Sequence, residues 1–221
     1  MISTDIQVWF LRNGKPLFDY GTREYDDFVD MLSNGHKVSL AENPEIDFES
    51  LPKQADFIGY SPITRAAQTA NILQPRLNVR STSMIEMVLL SEVKFDRDII
   101  KRHEFTSLAE SRKDILERWY DGRNKAETFE DSLTRVKEIE LFLSERQEKT
   151  IILITHGWFL RLLDVYFVKG KGTDITLDDI LNANLVPLGH CITATVTRRN
   201  SKTPSLKDMK QEKKTMAKIS K

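Results

Sequence analysis

Four short runs of apolar and β-branched residues recur along the chain, and more polar segments separate them. They are IQVWFL at 6–11, ADFIGYS at 55–61, TIILITH at 150–156 and CITATVTR at 191–198. The first and third runs are almost continuously apolar, which is typical of strands buried on both faces of a parallel sheet. NVRSTS at 78–83 is a weaker candidate for a fifth strand.

Between these runs, apolar residues recur at helical spacing. SPITRAAQTANILQ, at 61–74, predicts a helix with Ser61 as its N-cap and Pro62 in its first turn. An apolar residue at every third or fourth position from Phe129 to Leu143 predicts a second helix, and WFLRLLDVYFV at 158–168 predicts a third. Because strands alternate with helices, we expect a three-layer α/β/α sandwich with a mainly parallel sheet.

The patterning also predicts how the chain is divided. We expect residues 1–199 to form one domain, since single α/β domains routinely reach this length. Residues 93–124 are charge-rich with a helical middle, SLAESRKDILERWY, and predict an insertion over the sheet. Residues 200–221 hold seven lysines, one Asp, one Glu and no aromatic residue. Such a segment buries too little apolar surface to offset its ordering entropy, so we expect a flexible basic tail.

Composition narrows the classes of function. The chain has 33 basic and 33 acidic side chains, so its net charge does not point to nucleic acid or an anionic membrane as a partner. No apolar stretch is long enough to span a bilayer, and the N-terminus lacks the regions of a signal peptide. The single cysteine, Cys191, excludes an internal disulfide and fits a reducing compartment. We therefore expect a cytoplasmic protein.

Three candidate functional residues follow predicted strands. Arg12 ends the first strand, Arg65 lies in the helix after the second, and His156 follows IILIT. Ligands of open α/β sheets bind beyond the carboxyl ends of parallel strands. Arginine offers a planar fork of donors that pairs with phosphate oxygens, so these residues together predict a pocket for a compact anion.

The same residues carry a family resemblance. FLRNGKP, SPITRAAQTA and IILITHGWFLR resemble the signatures of the histidine phosphatase superfamily, which has the phosphoglycerate mutase-like fold, and the resemblance spans roughly residues 6–198. It implies a phosphoric monoester hydrolase that acts without metal or cofactor on a small phosphorylated substrate or a phosphoprotein. It also implies that a histidine between the first Arg and Gly attacks phosphorus, while Arg12, Arg65 and His156 hold the phosphoryl oxygens.

Asn13 occupies the position of that nucleophile. An amide nitrogen shares its lone pair with the carbonyl and cannot usefully attack phosphorus. Two interpretations stay open. The chain is either an inactivated His-to-Asn form of a phosphatase that still binds its substrate, or a natural pseudophosphatase that acts as a phospho-ligand sensor or binding module.

The resemblance also implies a general acid and further phosphate contacts. LLSEV fits the family's setting for the acid better than MIEM, so we expect Glu92 to have this role, with Glu86 as the alternative. Gly14 turns the chain so that position 13 faces the phosphorus. Lys15 and Pro16 stand where many relatives have Glu-Thr, and Lys15 is expected to supply positive charge to the phosphate instead.

Overall fold

The computed structural model of the chain describes residues 5–17, 24–34 and 37–198, and the backbone alone for residues 30–34. These residues include five strands: β1 (Asp5–Arg12), β2 (Phe57–Tyr60), β3 (Met84–Glu86), β4 (Thr150–Thr155) and β5 (Cys191–Thr197). The strands form one sheet in the order β3-β2-β4-β1-β5. Residues 200–221, which the sequence predicts to be a basic tail, lie outside the described residues.

The sheet is mainly parallel, as the sequence predicts. β4 pairs in parallel with both β1 and β2, and β2 pairs in parallel with β3. β5 is antiparallel to β1 and forms one edge of the sheet. In the β1–β4 register Arg12 lies opposite Thr155, so the residues that follow these strands emerge side by side at the carboxyl edge.

Helices cover both faces of this sheet. They are α1 (Tyr25–Asn34), α2 (Thr64–Arg76), α3 (Leu108–Tyr120), α4 (Phe129–Ser144), α5 (Gly157–Leu163) and α6 (Leu177–Leu181). Alternate residues of β4 point to opposite faces: Ile152 and Ile154 pack with α2, whereas Ile151 and Leu153 belong to the cluster that includes α4 and α5. The two apolar clusters confirm the predicted three-layer sandwich.

The fifth strand does not lie at 78–83, where the sequence places it. Asn78 has a φ of 53°, and Ser81–Ser83 form a 3₁₀ turn, so neither segment can extend beside a neighbouring strand. Pairing begins only at Met84, which lies opposite Ile58 of β2.

Ser61 is not the N-cap of α2, and this prediction is wrong. The helix begins at Thr64 with Ile63 as its cap, and Pro62 precedes it. The Ser61 hydroxyl accepts the N–H of Ile63 instead and lies 2.8 Å from Nε2 of His156. Ser61 therefore lies before the first turn of the helix, and its hydroxyl contacts His156 at the carboxyl edge of the sheet.

The third predicted helix is divided in two. α5 ends at Leu163, and residues 164–168 continue as a π-helical turn. The buried carboxylate of Asp164 accepts the N–H of Asn184 at 3.1 Å and so fixes the start of the loop that leads to β5. The turn therefore connects α5 to the part of the chain that follows α6.

The charge-rich segment 93–124 packs against the rest of the chain through α3. Ile115, Leu116 and Trp119 are buried in the same apolar cluster as the sheet. α4 follows it and begins with a capping box formed by Thr128 and Asp131. Among the described residues, no helix is long and apolar enough to cross a membrane.

Candidate active site

A cavity of about 70 Å³ opens at the carboxyl edge of β1 and β4. A cavity this small suits a compact group such as a phosphoryl. The cavity is lined by Arg12, Asn13, Arg65, Glu92, Leu108, Arg112, His156, Gly157, Trp158, Arg161 and Leu185. Five of the residues singled out in the sequence are thus brought together from four separate segments.

Arg12 is held at the edge of the cavity by its surroundings. One terminal nitrogen, Nη1, donates to the carbonyl of Val186 at 2.7 Å. A Cβ placed on Gly157 would lie only 3.0 Å from Nη2 of the same guanidinium. Because residue 157 is a glycine without a Cβ, the Arg12 guanidinium can pack against it.

Asn13 is buried, and both its backbone and its side chain form hydrogen bonds. Its backbone N–H donates to the carbonyl of Thr155 at 2.9 Å, and its own carbonyl accepts the N–H of Gly189. The side-chain nitrogen Nδ2 donates to the carbonyl of Gly14 at 2.8 Å. The amide thus lies in the cavity wall in a defined orientation, next to His156.

Gly14 supports the site from behind and does not line the cavity. Its N–H donates to Oγ1 of Thr69 at 3.1 Å, and that hydroxyl donates to the carbonyl of Arg65 at 2.7 Å. Thr69 therefore joins the turn after β1 to the helix that carries the second arginine. A Cβ at Gly14 would lie 2.9 Å from Cβ of Pro44, so this close approach requires glycine.

Lys15 is not brought to the cavity. Its ammonium forms an exposed ion pair with Glu45 at 2.7 Å. The structure thus places Lys15 apart from the two arginines with which the sequence groups it.

His156 follows β4 directly and is buried. Burial lowers its pKa well below the usual value of 6.5, and the positive charges of Arg65 and Arg12 lower it further. The imidazole is therefore neutral at pH 7. Nε2 lies 2.8 Å from Oγ of Ser61, and which of the two atoms donates depends on the tautomer of the ring. Among the described residues, Nδ1 has no hydrogen-bond partner.

Glu92 lies against the first turn of α5. Its carboxylate accepts the N–H groups of Phe159 at 2.9 Å, Val93 at 3.0 Å and Trp158 at 3.2 Å. Burial raises its pKa, although these hydrogen bonds and the charge of Arg65 act in the opposite direction. Glu86, the alternative acid, is exposed at the end of β3 and does not line the cavity.

The segment before Glu92 is tied to the sheet and to α4. Oγ1 of Thr155 donates to the carbonyl of Leu90 at 2.7 Å. Nη1 of Arg135 donates to the carbonyls of Leu89 and Ser91, and its guanidinium lies 4.0 Å from the ring centre of Phe159. These contacts fix the carboxylate of Glu92 relative to α5.

Two further arginines, which the sequence did not single out, also line the cavity. Arg112 lies on α3, one helical turn after Leu108, so both side chains share a face. Arg161 lies on α5 and is buried, with Nη1 donating to the carbonyls of Ile180 and Leu181. An arginine within an otherwise apolar helix was the available signal for Arg161, whereas α3 is too charge-rich for Arg112 to stand out.

The part of the chain that the structure describes contains no group of three or more His, Cys, Asp or Glu side chains placed to hold a metal ion.

Comparison with known proteins gives a family match. The family model described as "Histidine phosphatase superfamily (branch 1)" matches residues 48–190. The match covers the segments that carry Arg65, Glu92 and His156 and begins after the segment that carries Arg12 and Asn13. No curated protein sequence matches the chain.

Solved structures share the fold. The phosphoglycerate mutase of Bacillus anthracis superposes with a TM-score of 0.55 at 16% identity, over 94% of this chain and 95% of that chain. The alpha-ribazole phosphatase of Shigella flexneri gives 0.52 at 17% identity, over 87% and 95%. The phosphoserine phosphatase of Entamoeba histolytica, solved with 3-phosphoglyceric acid, gives 0.51 at 14% identity, over 90% and 98%. At these identities the likeness concerns the fold, which is phosphoglycerate mutase-like.

Proposed function

The chain belongs to the histidine phosphatase superfamily, and from this membership we propose that its cavity binds the phosphoryl group of a small phosphomonoester. One observation carries the proposal. Arg12, Asn13, Arg65 and His156 all line one small cavity. The three fold relatives are a mutase and two phosphatases, which agrees with a small phosphorylated substrate.

Each group contributes to phosphoryl binding in a distinct way. The guanidinium groups of Arg12 and Arg65 supply charge-assisted hydrogen bonds to the non-bridging oxygens. His156 is neutral in the empty cavity because burial and the arginines lower its pKa. It therefore binds the phosphoryl as a hydrogen-bond donor, and the negative charge of the ligand raises its affinity for a second proton.

The reaction that suits this arrangement is hydrolysis through a phosphohistidine. A histidine nitrogen at position 13 attacks phosphorus, the ester P–O bond breaks, and the leaving oxygen takes a proton from the Glu92 carboxyl. Water then attacks the phosphohistidine, gives a proton to the Glu92 carboxylate, and releases inorganic phosphate. Glu92 suits both steps because burial raises its pKa toward the working range.

Asn13 removes the first of these steps and leaves the rest of the site in place. The amide has no nucleophilic lone pair, and its Nδ2 already donates to the Gly14 carbonyl. We propose that this chain is the inactivated His-to-Asn form of a phosphatase, which binds its substrate and does not turn it over.

A natural pseudophosphatase is the second candidate, and two observations favour it. Lys15 and Pro16 also depart from the first motif of the family, and Lys15 is paired with Glu45 away from the cavity. In addition, the family match begins only at residue 48. Divergence at three positions of the first motif, Asn13, Lys15 and Pro16, fits a binding module better than the replacement of one residue does.

The variant Asn13→His tests the proposal. We expect it to hydrolyse p-nitrophenyl phosphate, whereas the unmodified chain binds this ester without turnover. A matched control is Gln147→His, which places the same residue type at an exposed position before β4, at the opposite edge of the sheet, and should stay inactive. Turnover is measured by release of p-nitrophenolate, and binding by calorimetry.

The outcomes separate the candidates. Activity in Asn13→His alone supports the inactivated phosphatase. Equal ester binding in both forms, with no turnover in either, supports the pseudophosphatase. Turnover by the unmodified chain at a rate similar to that of Asn13→His contradicts the assignment of position 13 to the nucleophile.

A further inference from the structure

Glu92 lies in a stretch without regular secondary structure. Residues 91–96 follow the 3₁₀ turn Val88–Leu90, and none of them is in a helix or a strand. The place of the Glu92 carboxylate is therefore set by side chains that reach the backbone of this stretch from neighbouring elements. Two of these side chains, Arg135 and Glu127, form an ion pair with each other.

Arg135, on α4, holds the backbone before Glu92. Its Nη1 donates to the carbonyl of Ser91 at 2.8 Å and to that of Leu89 at 3.1 Å. Its guanidinium carbon lies 4.0 Å from the ring centre of Phe159, and the N–H of Phe159 donates to Glu92 at 2.9 Å. Arg135 therefore contacts both the segment that carries the carboxylate and a residue of α5 that donates to it.

Glu127, just before α4, holds the backbone after Glu92. Its Oε2 accepts the N–H of Lys94 at 3.0 Å. Its Oε1 accepts the hydroxyl of Ser132 and the Nη2 of Arg135. The ion pair thus joins the backbone two residues after Glu92 to the carbonyl groups that precede it.

Burial makes this ion pair a poor source of stability. The side chain of Glu127 is 10% exposed and that of Arg135 is 17% exposed. Nε of Arg135 has no hydrogen-bond partner among the described residues. Moving two charges out of water costs about as much as their attraction returns, so an apolar pair of similar volume would commonly stabilise a fold as well. Apolar side chains could not, however, form hydrogen bonds with the backbone on both sides of Glu92.

We propose that Arg135 and Glu127 are positioning residues for the general acid: their ion pair holds the backbone on both sides of Glu92, so that its carboxylate stays between the cavity and the first turn of α5. This inference rests on the proposed function, which gives Glu92 the role of the acid. Neither side chain touches the substrate, and both act through Glu92.

Amide hydrogen exchange measured by NMR tests the positioning without any turnover. The N–H groups of Trp158 and Phe159 lie in the first turn of α5, where a helix offers them no acceptor of its own, and they donate to Glu92. In the otherwise unmodified chain, Arg135→Lys should speed their exchange by about tenfold or more, because the carboxylate is no longer held against them. The N–H of Leu160 donates to the carbonyl of His156 at 2.8 Å, so its exchange should stay unchanged.

Glu127→Gln is a milder variant that tests the other half of the pair. Its one remaining side-chain oxygen cannot accept from both Arg135 and the N–H of Lys94, so exchange at Trp158 and Phe159 should again become faster. It also keeps the volume of the side chain, so it carries the test if Arg135→Lys does not fold.

Kinetics in the Asn13→His background test whether the positioning serves proton donation. Arg135→Lys keeps the positive charge but loses the fork that reaches two carbonyl groups. It should lower kcat for propyl phosphate by about 10²-fold, the effect of a misplaced catalytic group, and leave KM within about twofold. p-Nitrophenolate leaves without a proton, so kcat for p-nitrophenyl phosphate should fall by less than about threefold.

Arg146→Lys is the matched control. Arg146 also forms a partly buried ion pair, with Glu148, and its guanidinium carbon lies 4.4 Å from the ring centre of Phe57. It follows the far end of α4 and has no contact with the segment that carries Glu92 among the hydrogen bonds and ion pairs of the described residues. The variant should change neither amide exchange at α5 nor the rates with the two esters.

The possible results separate this inference from the proposed function. Unchanged exchange at Trp158 and Phe159 in both variants overturns it, and so does an equal increase at Leu160, which would indicate general loosening. Equal slowing of the two esters also overturns it, because the pair would then not act through proton donation. If Asn13→His hydrolyses neither ester, the proposed function fails, and amide exchange still decides whether the pair holds Glu92 in place.

Discussion

Asn13 and the histidine expected at its position differ in one chemical respect that decides the reaction. Both are planar polar side chains that can donate one hydrogen bond, and Asn13 does so to Gly14. The imidazole has in addition a free lone pair on nitrogen. The sequence identifies this substitution directly, because the flanking Arg12 and Gly14 fix the position within the motif.

Glu92 is the residue whose role depends most on the fold. The sequence offers both Glu86 and Glu92, and only Glu92 lines the cavity. Its contacts with Trp158 and Phe159 join segments far apart in the chain, which a local motif does not reveal. From the sequence alone, a role that depends on such long-range contacts can therefore only be proposed.

A leaving-group series tests Glu92 as the acid. In the Asn13→His background, Glu92→Gln should slow hydrolysis of an alkyl phosphate by about 10²- to 10⁴-fold, the range of general acid catalysis. p-Nitrophenolate leaves without a proton, so hydrolysis of its ester should slow far less. Glu86→Gln, at an exposed position, is the control and should change neither rate. Equal slowing for both esters in Glu92→Gln would rule out proton donation.

At the scale of elements, the junction between β4 and α5 does most to assemble the site. β4 ends at Thr155, His156 follows, and α5 begins at Gly157 against the Arg12 guanidinium. The sequence predicts this strand and a helix directly after it, because their apolar patterns are strong. It misplaces β3 and the start of α2, where left-handed backbone at Asn78 and the contact of Ser61 with His156 override local preference.

Gly157→Ala tests that junction. The added Cβ would lie 3.0 Å from Nη2 of Arg12 and displace the far end of that side chain. We expect phosphate affinity to fall by about 1 kcal/mol, part of one charge-assisted contact, with the stability of the fold little changed. Phosphate titration and urea unfolding measure the two quantities.

Gly122→Ala is the control for Gly157→Ala, and we expect it to affect stability instead of phosphate affinity. Gly122 has a φ of 73° with open space around its Cβ position, so an alanine there strains the backbone. It should cost about 1 kcal/mol of stability and leave phosphate affinity unchanged. Unaltered phosphate affinity in Gly157→Ala would contradict the packing of Arg12 against α5.

At the scale of the whole molecule, the fold concentrates positive charge at one edge of a chain whose net charge is zero. The fold class could be predicted from alternating strand and helix patterns, and the phosphoryl clamp from three motifs. Arg112 could not be predicted, because nothing in its local sequence indicates that α3 reaches the cavity, whereas an arginine within the apolar α5 was a signal for Arg161. Such a charge distribution appears only when the elements are packed together.

This concentration of charge makes stability depend on pH through His156. In the unfolded chain the imidazole titrates near 6.5, whereas burial and the arginines hold its folded pKa well below that value. Below pH 6.5 the unfolded state binds a proton that the folded state excludes, so the free energy of unfolding falls by up to about 1.4 kcal/mol per pH unit. Above pH 6.5 this contribution is fully present.

Urea unfolding at pH 5 and pH 7.5 measures this dependence. His156→Gln should lose less stability on acidification than the unmodified chain, by the amount due to one proton. His103→Gln removes an exposed histidine and should follow the unmodified chain. Parallel pH curves for His156→Gln and the unmodified chain would contradict a neutral, buried His156.

The central claim is that position 13 is where phosphorus is attacked, within a cavity whose other parts are present. Rapid quenching of Asn13→His with a ³²P-labelled phosphomonoester, under alkaline conditions that preserve phosphohistidine, tests it most directly. We predict label on the peptide that contains position 13, none on His156, and none anywhere in the unmodified chain. Label on His156, or equal labelling of the unmodified chain, would contradict the claim.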